Sequence, residues 1–277
     1  MIKNIYKNSI VLDGDLCIWV SCHKKKSFKH GKVVTLDNGN IAYTDKTLEE
    51  ALESCDNYLE DLFSSLQVDS YIIYLTGKKC FRYSVDDTYK SNRVGLEKPM
   101  WHQEVRQYLV DKYRAMSVVG LEADDLCILT KNNLESCFVA SADKDVFSNE
   151  GTFYKLSRLG NEWITNTKYE AEYKFALSMI LGDKADGILQ LKKGMGIVGA
   201  TKELEEFMSF KLNPLDAAFG MYKAHLGEYE GIVRFAKQYQ MLKILDDLSQ
   251  LPKGIEFEIP QPIEFGNKIE KLDEYNL

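Results

Sequence analysis

Histidine and proline are both scarce in this 277-residue chain, at four and five residues, and that scarcity closes several routes. His23, His30, His102 and His225 show no metal-ligand spacing, and the six cysteines (17, 22, 55, 80, 127 and 137) contain no CxxC pair. Neither a zinc ribbon nor a disulfide framework can be read, and a reducing compartment is the expectation. No apolar run has the length of a membrane span, and the opening MIKNIYKNSIVLDGD carries no signal-peptide pattern, so a soluble intracellular chain with no membrane partner is expected. Excess positive charge is missing too. The 35 basic and 42 acidic residues leave a net −7, which argues against a generic sticky binder of nucleic acid. There is no internal repeat or low-complexity tract. What remains is ordinary globular composition, 45% apolar and 28% charged, in a chain long enough to bury roughly 75% of its unfolded surface without cross-links.

Short apolar runs at 9–13, 71–75, 116–119 and 137–141 have strand length and end in Gly, Asp, Glu or Thr. Between the first two, Thr47 and Glu50 form a capping-box signature ahead of Leu48, Leu52, Cys55, Leu59, Leu62 and Leu66, the spacing of one amphipathic helix. Strands alternating with helices predict an α/β fold with a central parallel sheet, whose ligand sites lie at the carboxyl ends of the strands. Two segments interrupt the alternation: a basic stretch running to Tyr43 with a hairpin turn at Asp37-Asn38-Gly39, and the polar, basic and aromatic residues 81–115. From Thr167 the pattern becomes helical, with a second capping box (Thr167, Glu170) and Asn213-Pro214 placed as cap and first helical residue. The resulting division is an α/β domain over 1–166, a helical subdomain over 167–251 and an extended tail over 252–277, where Pro252, Pro260 and Pro262 disfavour regular structure.

Acidic residues cluster on four of the expected loops: Asp13 and Asp15 in VLDGDL, Glu122, Asp124 and Asp125 in LEADDL, Asp143 and Asp145 in SADKDV, and Asp183 and Asp186 in GDKADGI. Should these loops share one sheet edge, like charges would converge and hold protons unless cations intervened. An all-oxygen donor set favours Mg²⁺ or Mn²⁺ over zinc, and dispersed ligands do not make an EF-hand. Two such ions suit phosphoryl chemistry. Aspartate also caps helices, and Asp15 and Asp125 suit that role as well as the ligand role. Lysines 24, 25, 26, 29 and 32 form one basic run that is ordinarily only solvated, and Tyr83, Tyr89 and Trp101 are aromatics that could stack on an unpaired base.

Six motifs together, VLDGD, FRYSVDDTYKSNR, LEADDL, SADKDV, LGDKADGI and KKGMGIVGA, resemble in kind and order those of the 5′ nuclease family. That family comprises flap endonucleases, the 5′ nuclease domain of bacterial DNA polymerase I and the stand-alone exonucleases of bacteriophages, and the compact chain is most similar to the last group. The resemblance runs from Asp13 to about Glu205. It implies a PIN-like sheet with a helical arch at about 81–115 and a helix-three-turn-helix at about 180–208. It also implies a first metal held by Asp13, Glu122 and Asp124 with Asp125 adjacent, and a second held by Asp143, Asp145 and Asp183 with Asp186 nearby. Lys90 and Arg93, following Tyr89, match the phosphate-steering arch residues. Lys192, Lys193, Gly194, Gly196 and Gly199 match the turn that takes duplex phosphates on backbone amides, a turn that permits K⁺.

The implied partner is DNA with 5′ ends, flaps or nicks, or the RNA of an RNA–DNA hybrid. The implied location is cytoplasmic, in the host cell if the chain is phage-encoded. Thr76 stands where many relatives have an aspartate, leaving the first site one anionic ligand short unless Asp15 compensates. Two other readings stay open, a catalytically weak DNA-junction binder and a PIN-like ribonuclease.

Overall fold

Four consecutive buried residues make β1 (Ser9–Asp13) a central strand, since a strand covered on both faces needs no polar alternation. The computed structural model describes residues 9–265 except 30, 31 and 37. Parallel to β1 run β2 (Ser70–Tyr74) on one side and β3 (Cys137–Ser141) on the other. Beyond β3 the parallel β4 (Gly151–Lys155) is followed by β5 (Glu162–Asn166), which returns antiparallel, so that the order is β6-β2-β1-β3-β4-β5. The outer β6 (Ile263–Glu264) pairs antiparallel with β2. The segment expected to be an extended tail thus supplies an edge strand, and its Ile255 and Phe257 pack on the sheet. Residues 266–277 of that segment lie outside the described residues.

Helices cover both faces, as a parallel sheet requires. On one face α1 (Asp15–Ser21), α2 (Leu48–Ser65) and α3 (His102–Tyr113) enclose a core that includes Ile10, Leu12, Phe63, Val105 and Leu109. On the other, α4 (Ala123–Asn133) buries Leu126 and Leu129 against Val11, Ile72 and Val139. The Thr47 and Glu50 box forms, with Glu50 N–H donating to Thr47 Oγ1 at 3.2 Å and Thr47 N–H to Glu50 Oε2 at 2.9 Å.

Two expectations need correction. The apolar run 116–119 is no strand: only Met116 bridges to Tyr74, because the chain then leaves the sheet to cross Gly77, whose N–H donates to the Leu121 carbonyl. Nor does all of 81–115 stand free as an arch, since α3 is a core helix with Val105, Leu109 and Tyr113 buried. Of the hairpin turn at 37–39, Asp37 lies outside the described residues; beside it Leu36 N–H donates to the Asn40 carbonyl.

The helical part comprises α5 (Lys168–Leu181), α6 (Ile197–Met208), α7 (Pro214–Leu226) and α8 (Glu228–Leu242) around a separate core of Ile180, Leu204, Met221 and Tyr222. Thr167 caps α5 in a reciprocal box with Glu170, and Asn213 caps α7 ahead of Pro214.

Candidate active site

The carboxyl ends of β1 and β3 are neighbours, and that adjacency begins the site. Asp13 accepts the Ser141 hydroxyl and the Asp15 N–H, each at 3.2 Å. Ser141 Oγ in turn accepts the Asp143 N–H at 3.0 Å, and Asp143 Oδ1 accepts the Asp145 N–H at 2.9 Å. Burial, followed by the charges of Asp15 and Asp143, pushes Asp13 up to about 7. Burial and Asp143 push Asp145 up to about 6.

The first turn of α4 brings the third group. Oxygens of Glu122, Asp124 and Asp125 lie within 4.8 Å of one another. Asp124 is held well above the usual carboxylate range by burial, then by Asp125, Glu122 and Asp143. The fourth group sits on a tight loop closed by Asp183 N–H to the Ile188 carbonyl (3.0 Å) and Ile188 N–H to the Asp183 carbonyl (2.7 Å). Gly182 makes that loop possible: its φ of 63° is left-handed, and a Cβ there would lie 2.5 Å from the Ile188 carbonyl oxygen.

The four loops close into one ring of electrostatic neighbours. The charge of Asp143 acts on Asp13, Asp124 and Asp145, that of Asp183 on Asp145 and Asp186, and that of Glu122 on Asp186 and Asp124. Cations are threaded through it. Lys144 Nζ bonds Asp183 Oδ2 at 2.6 Å and Asp145 Oδ1 at 3.1 Å. Lys90 bonds Glu122 and lies 3.7 Å from Asp186, which also pairs with Arg93. Lys90 is poised by a left-handed backbone (φ 53°) and by its own N–H, which donates to the Asp186 carbonyl. The Tyr89 hydroxyl lies 2.9 Å from Glu122 Oε2 and 3.1 Å from Asp186 Oδ2. Tyr89 is buried, so it ties carboxylates together and has no face free for a base; of the three aromatics singled out, only Tyr83 is exposed.

Asp125 differs from its neighbours. It is fully buried, forks with Arg82 at 2.7 and 2.9 Å, and accepts the N–H groups of Glu122 and Leu245. Its oxygens are spent on protein donors. Thr76 is equally occupied: its Oγ1 accepts the Ala123 N–H at the start of α4, and its N–H donates to Asp15, which Arg106 also approaches at 3.4 Å. Sequence reading passed over Arg82, Arg106, Lys144 and Ser141 as members of the site. Position inside the motifs was the only signal for Ser141, Lys144 and Arg82.

The glycine turn stands apart from the acids, and among the described residues no hydrogen bond or ion pair joins Lys192 or Lys193 to them. Gly194 has φ 82°, its N–H donates to Gln190 Oε1, and Gly196 caps α6. A Cβ at Gly194 or Gly196 would meet nothing within 4 Å, and Gly199 only Met195.

The donor set fits a hard divalent cation. It is all oxygen, it sets Glu122 and Asp124 side by side, and it raises Asp13 and Asp145 above the usual carboxylate range, a shift that added positive charge would reverse.

No family model matches the chain. A 5′-3′ exonuclease of Buchnera aphidicola subsp. Schizaphis graminum (strain Sg) is 24% identical over 221 residues, covering 74% of this chain and 72% of that one. The T5 D15 protein co-crystallised with metal ions superposes with a TM-score of 0.56 at 16% identity, over 86% of this chain and 89% of that one. The catalytic core of Rad2 in complex with a DNA substrate superposes with a TM-score of 0.52 at 16% identity, over 94% and 83% respectively. Among the described residues no helix is long and apolar enough to cross a membrane.

Proposed function

We propose that the chain is a member of the 5′ nuclease family and acts as a divalent-metal-dependent, structure-selective 5′-3′ exonuclease and flap endonuclease on DNA. One observation supports this reading, the bonded chain that joins acids of four loops: Asp13 through Ser141 to Asp143 and Asp145, through Lys144 to Asp183, and Asp186 through Tyr89 to Glu122.

Asp13, Glu122 and Asp124 are the groups to hold one Mg²⁺ or Mn²⁺, and Asp143, Asp145 and Asp183, with Asp186 nearby, a second. Asp125 keeps Arg82 and the start of α4 in place behind them. When bound, such ions supply Lewis acidity that makes water a better nucleophile and neutralises the leaving oxygen. The chain's own residues do the remainder. Lys90 and Arg93, now paired with Glu122 and Asp186, exchange those partners for the scissile phosphate and draw it onto the acidic edge. Lys192, Lys193 and the amides around Gly194, Gly196 and Gly199 hold duplex phosphates without reading sequence, as an open helix N-terminus preceded by a glycine turn does. The α/β part thus handles the chemistry and the 167–251 part the duplex.

A time course on 5′-labelled flapped, nicked and blunt duplexes with Mg²⁺, Mn²⁺ or EDTA tests the reading. Short 5′ products that need metal and a branch or end are expected. Binding of flaps with no cleavage would favour the junction binder, and equal handling of single-stranded RNA the ribonuclease. An RNA–DNA hybrid arm tests the wider substrate range, and replacing K⁺ by Li⁺ tests a monovalent ion at the glycine turn.

A further inference from the structure

Arg82 is 2% exposed, and all its donor atoms are engaged. Nε donates to the Met241 carbonyl at 3.0 Å and Nη2 to the Lys243 carbonyl at 2.8 Å, both at the C-terminal end of α8. Toward the acidic turn, Nη1 donates to Asp125 Oδ2 (2.7 Å) and Glu122 Oε2 (3.1 Å) and Nη2 to Asp125 Oδ1 (2.9 Å), while Nη1 also lies 3.8 Å from Cys80 Sγ. Asp125 then returns a bond to the same segment by accepting the Leu245 N–H at 3.0 Å. Helix C-termini carry unpaired carbonyls and partial negative charge, so a buried guanidinium satisfies them while its fork fits a carboxylate. A lysine, with a point charge and three donors, cannot span this set.

Arg82 and the Tyr89 hydroxyl together fix Oε2 of Glu122, which leaves Oε1 to Lys90. The helix that Arg82 grips packs on α7, itself packed on α6 behind the glycine turn. We infer that Arg82 is a positioning residue that sets the Glu122 carboxylate according to how the helical part is seated, so that metal capture depends on the docking of α8. This deepens and rests on the nuclease reading.

The test uses the full chain and three measurements: Mn²⁺ affinity by isothermal titration, thermal melting, and 5′-flap cleavage. Arg82→Lys is expected to bind Mn²⁺ about 10- to 100-fold more weakly and to cut correspondingly more slowly, with flap binding in Ca²⁺ unchanged. Removing one member of a buried ion pair can unfold a protein, so Arg82→Gln with Asp125→Asn, which neutralises both, is the second variant. Its melting temperature is expected to recover while the Mn²⁺ deficit persists. A folded variant with wild-type Mn²⁺ affinity and rate would reduce Arg82 to a fold-stabilising residue and overturn the inference. Wild-type protein that binds Mn²⁺ but cuts no DNA would sink the nuclease reading alone, with the Mn²⁺ comparison still deciding the role of Arg82.

Discussion

Lys144 Nζ lies 2.6 Å from Asp183 Oδ2 and so ties the loop after β3 to the loop after α5. Its own neighbour Asp145 shares the same ammonium at 3.1 Å. Without bound cations this lysine offsets two members of the acidic ring, so its removal leaves repulsion that only added metal relieves. The side chain is largely exposed, and the effect on stability is correspondingly modest. Lys144→Ala is expected to melt a few degrees lower than wild type in EDTA and to regain the difference in Mg²⁺. Paired melting curves would decide it, and an equal deficit in both conditions would deny the lysine this role.

Away from the site, Asp56 of α2 anchors α3. It accepts from Lys112 at 2.7 Å, Tyr113 at 2.6 Å and Tyr108 at 2.8 Å. Burial alone would raise its pKa, but Lys112 and the two tyrosine hydroxyls outweigh burial and hold it below the usual carboxylate range. A lowered folded value means stabilisation that is fully present above the unfolded value of about 3.9 and is lost as pH falls through the folded one. Asp56→Asn should therefore cost about 1–3 kcal/mol at pH 7 and flatten the acid limb below about pH 4. Urea melts across pH 3 to 7 measure both, and parallel acid limbs in the two proteins would contradict the assignment.

How much of this was legible beforehand depended on the range of the interaction. Capping boxes at Thr47 and Thr167 and the Asn213-Pro214 start are local hydrogen-bond chemistry, so the sequence displays them in full. The acids at the ends of β1 and β3 were visible because strand ends are short-range features and a parallel sheet aligns them. The role of Arg82 was not legible from its place in a motif: its partners are 40, 43, 159 and 161 positions away, and only the fold brings Glu122, Asp125, Met241 and Lys243 to one guanidinium. The edge strand Ile263–Glu264 escaped for a related reason, since two residues beside prolines carry no alternation to read. Tyr89 looked like a stacking surface because composition cannot tell a buried hydroxyl bridge from an exposed ring.

Asp143 lies next to three other members of the ring, so neutralising it should weaken metal capture without touching the helical part. Asp143→Asn is expected to abolish turnover and to bind flap DNA within about threefold of wild type, since phosphate contacts dominate affinity. Lys90→Ala should keep Mn²⁺ binding and lose about 10²-fold in single-turnover rate, the scale for losing one charge-stabilising donor. Quench-flow on a labelled flap, with binding measured in Ca²⁺, separates the two variants. Turnover by Asp143→Asn would remove that residue from the proposed metal ligands.

The exposed Lys192 and Lys193 precede an open helix N-terminus in a chain whose net charge is −7, so any grip on DNA there has to come from local charge. Each lysine that neutralises a phosphate releases about one counterion, and binding to a nicked duplex should weaken steeply and linearly in log salt. Replacing both with alanine is expected to lower the slope of that plot by about two and to raise KM, leaving the maximal rate on saturating substrate close to wild type, because among the described residues no hydrogen bond or ion pair joins these lysines to the acids. Fluorescence anisotropy over a range of KCl concentrations, with Ca²⁺ in place of Mg²⁺, gives the slope directly. An unchanged slope in the double variant would move the duplex contact elsewhere on the molecule and leave the glycine turn as a connection between α5 and α6.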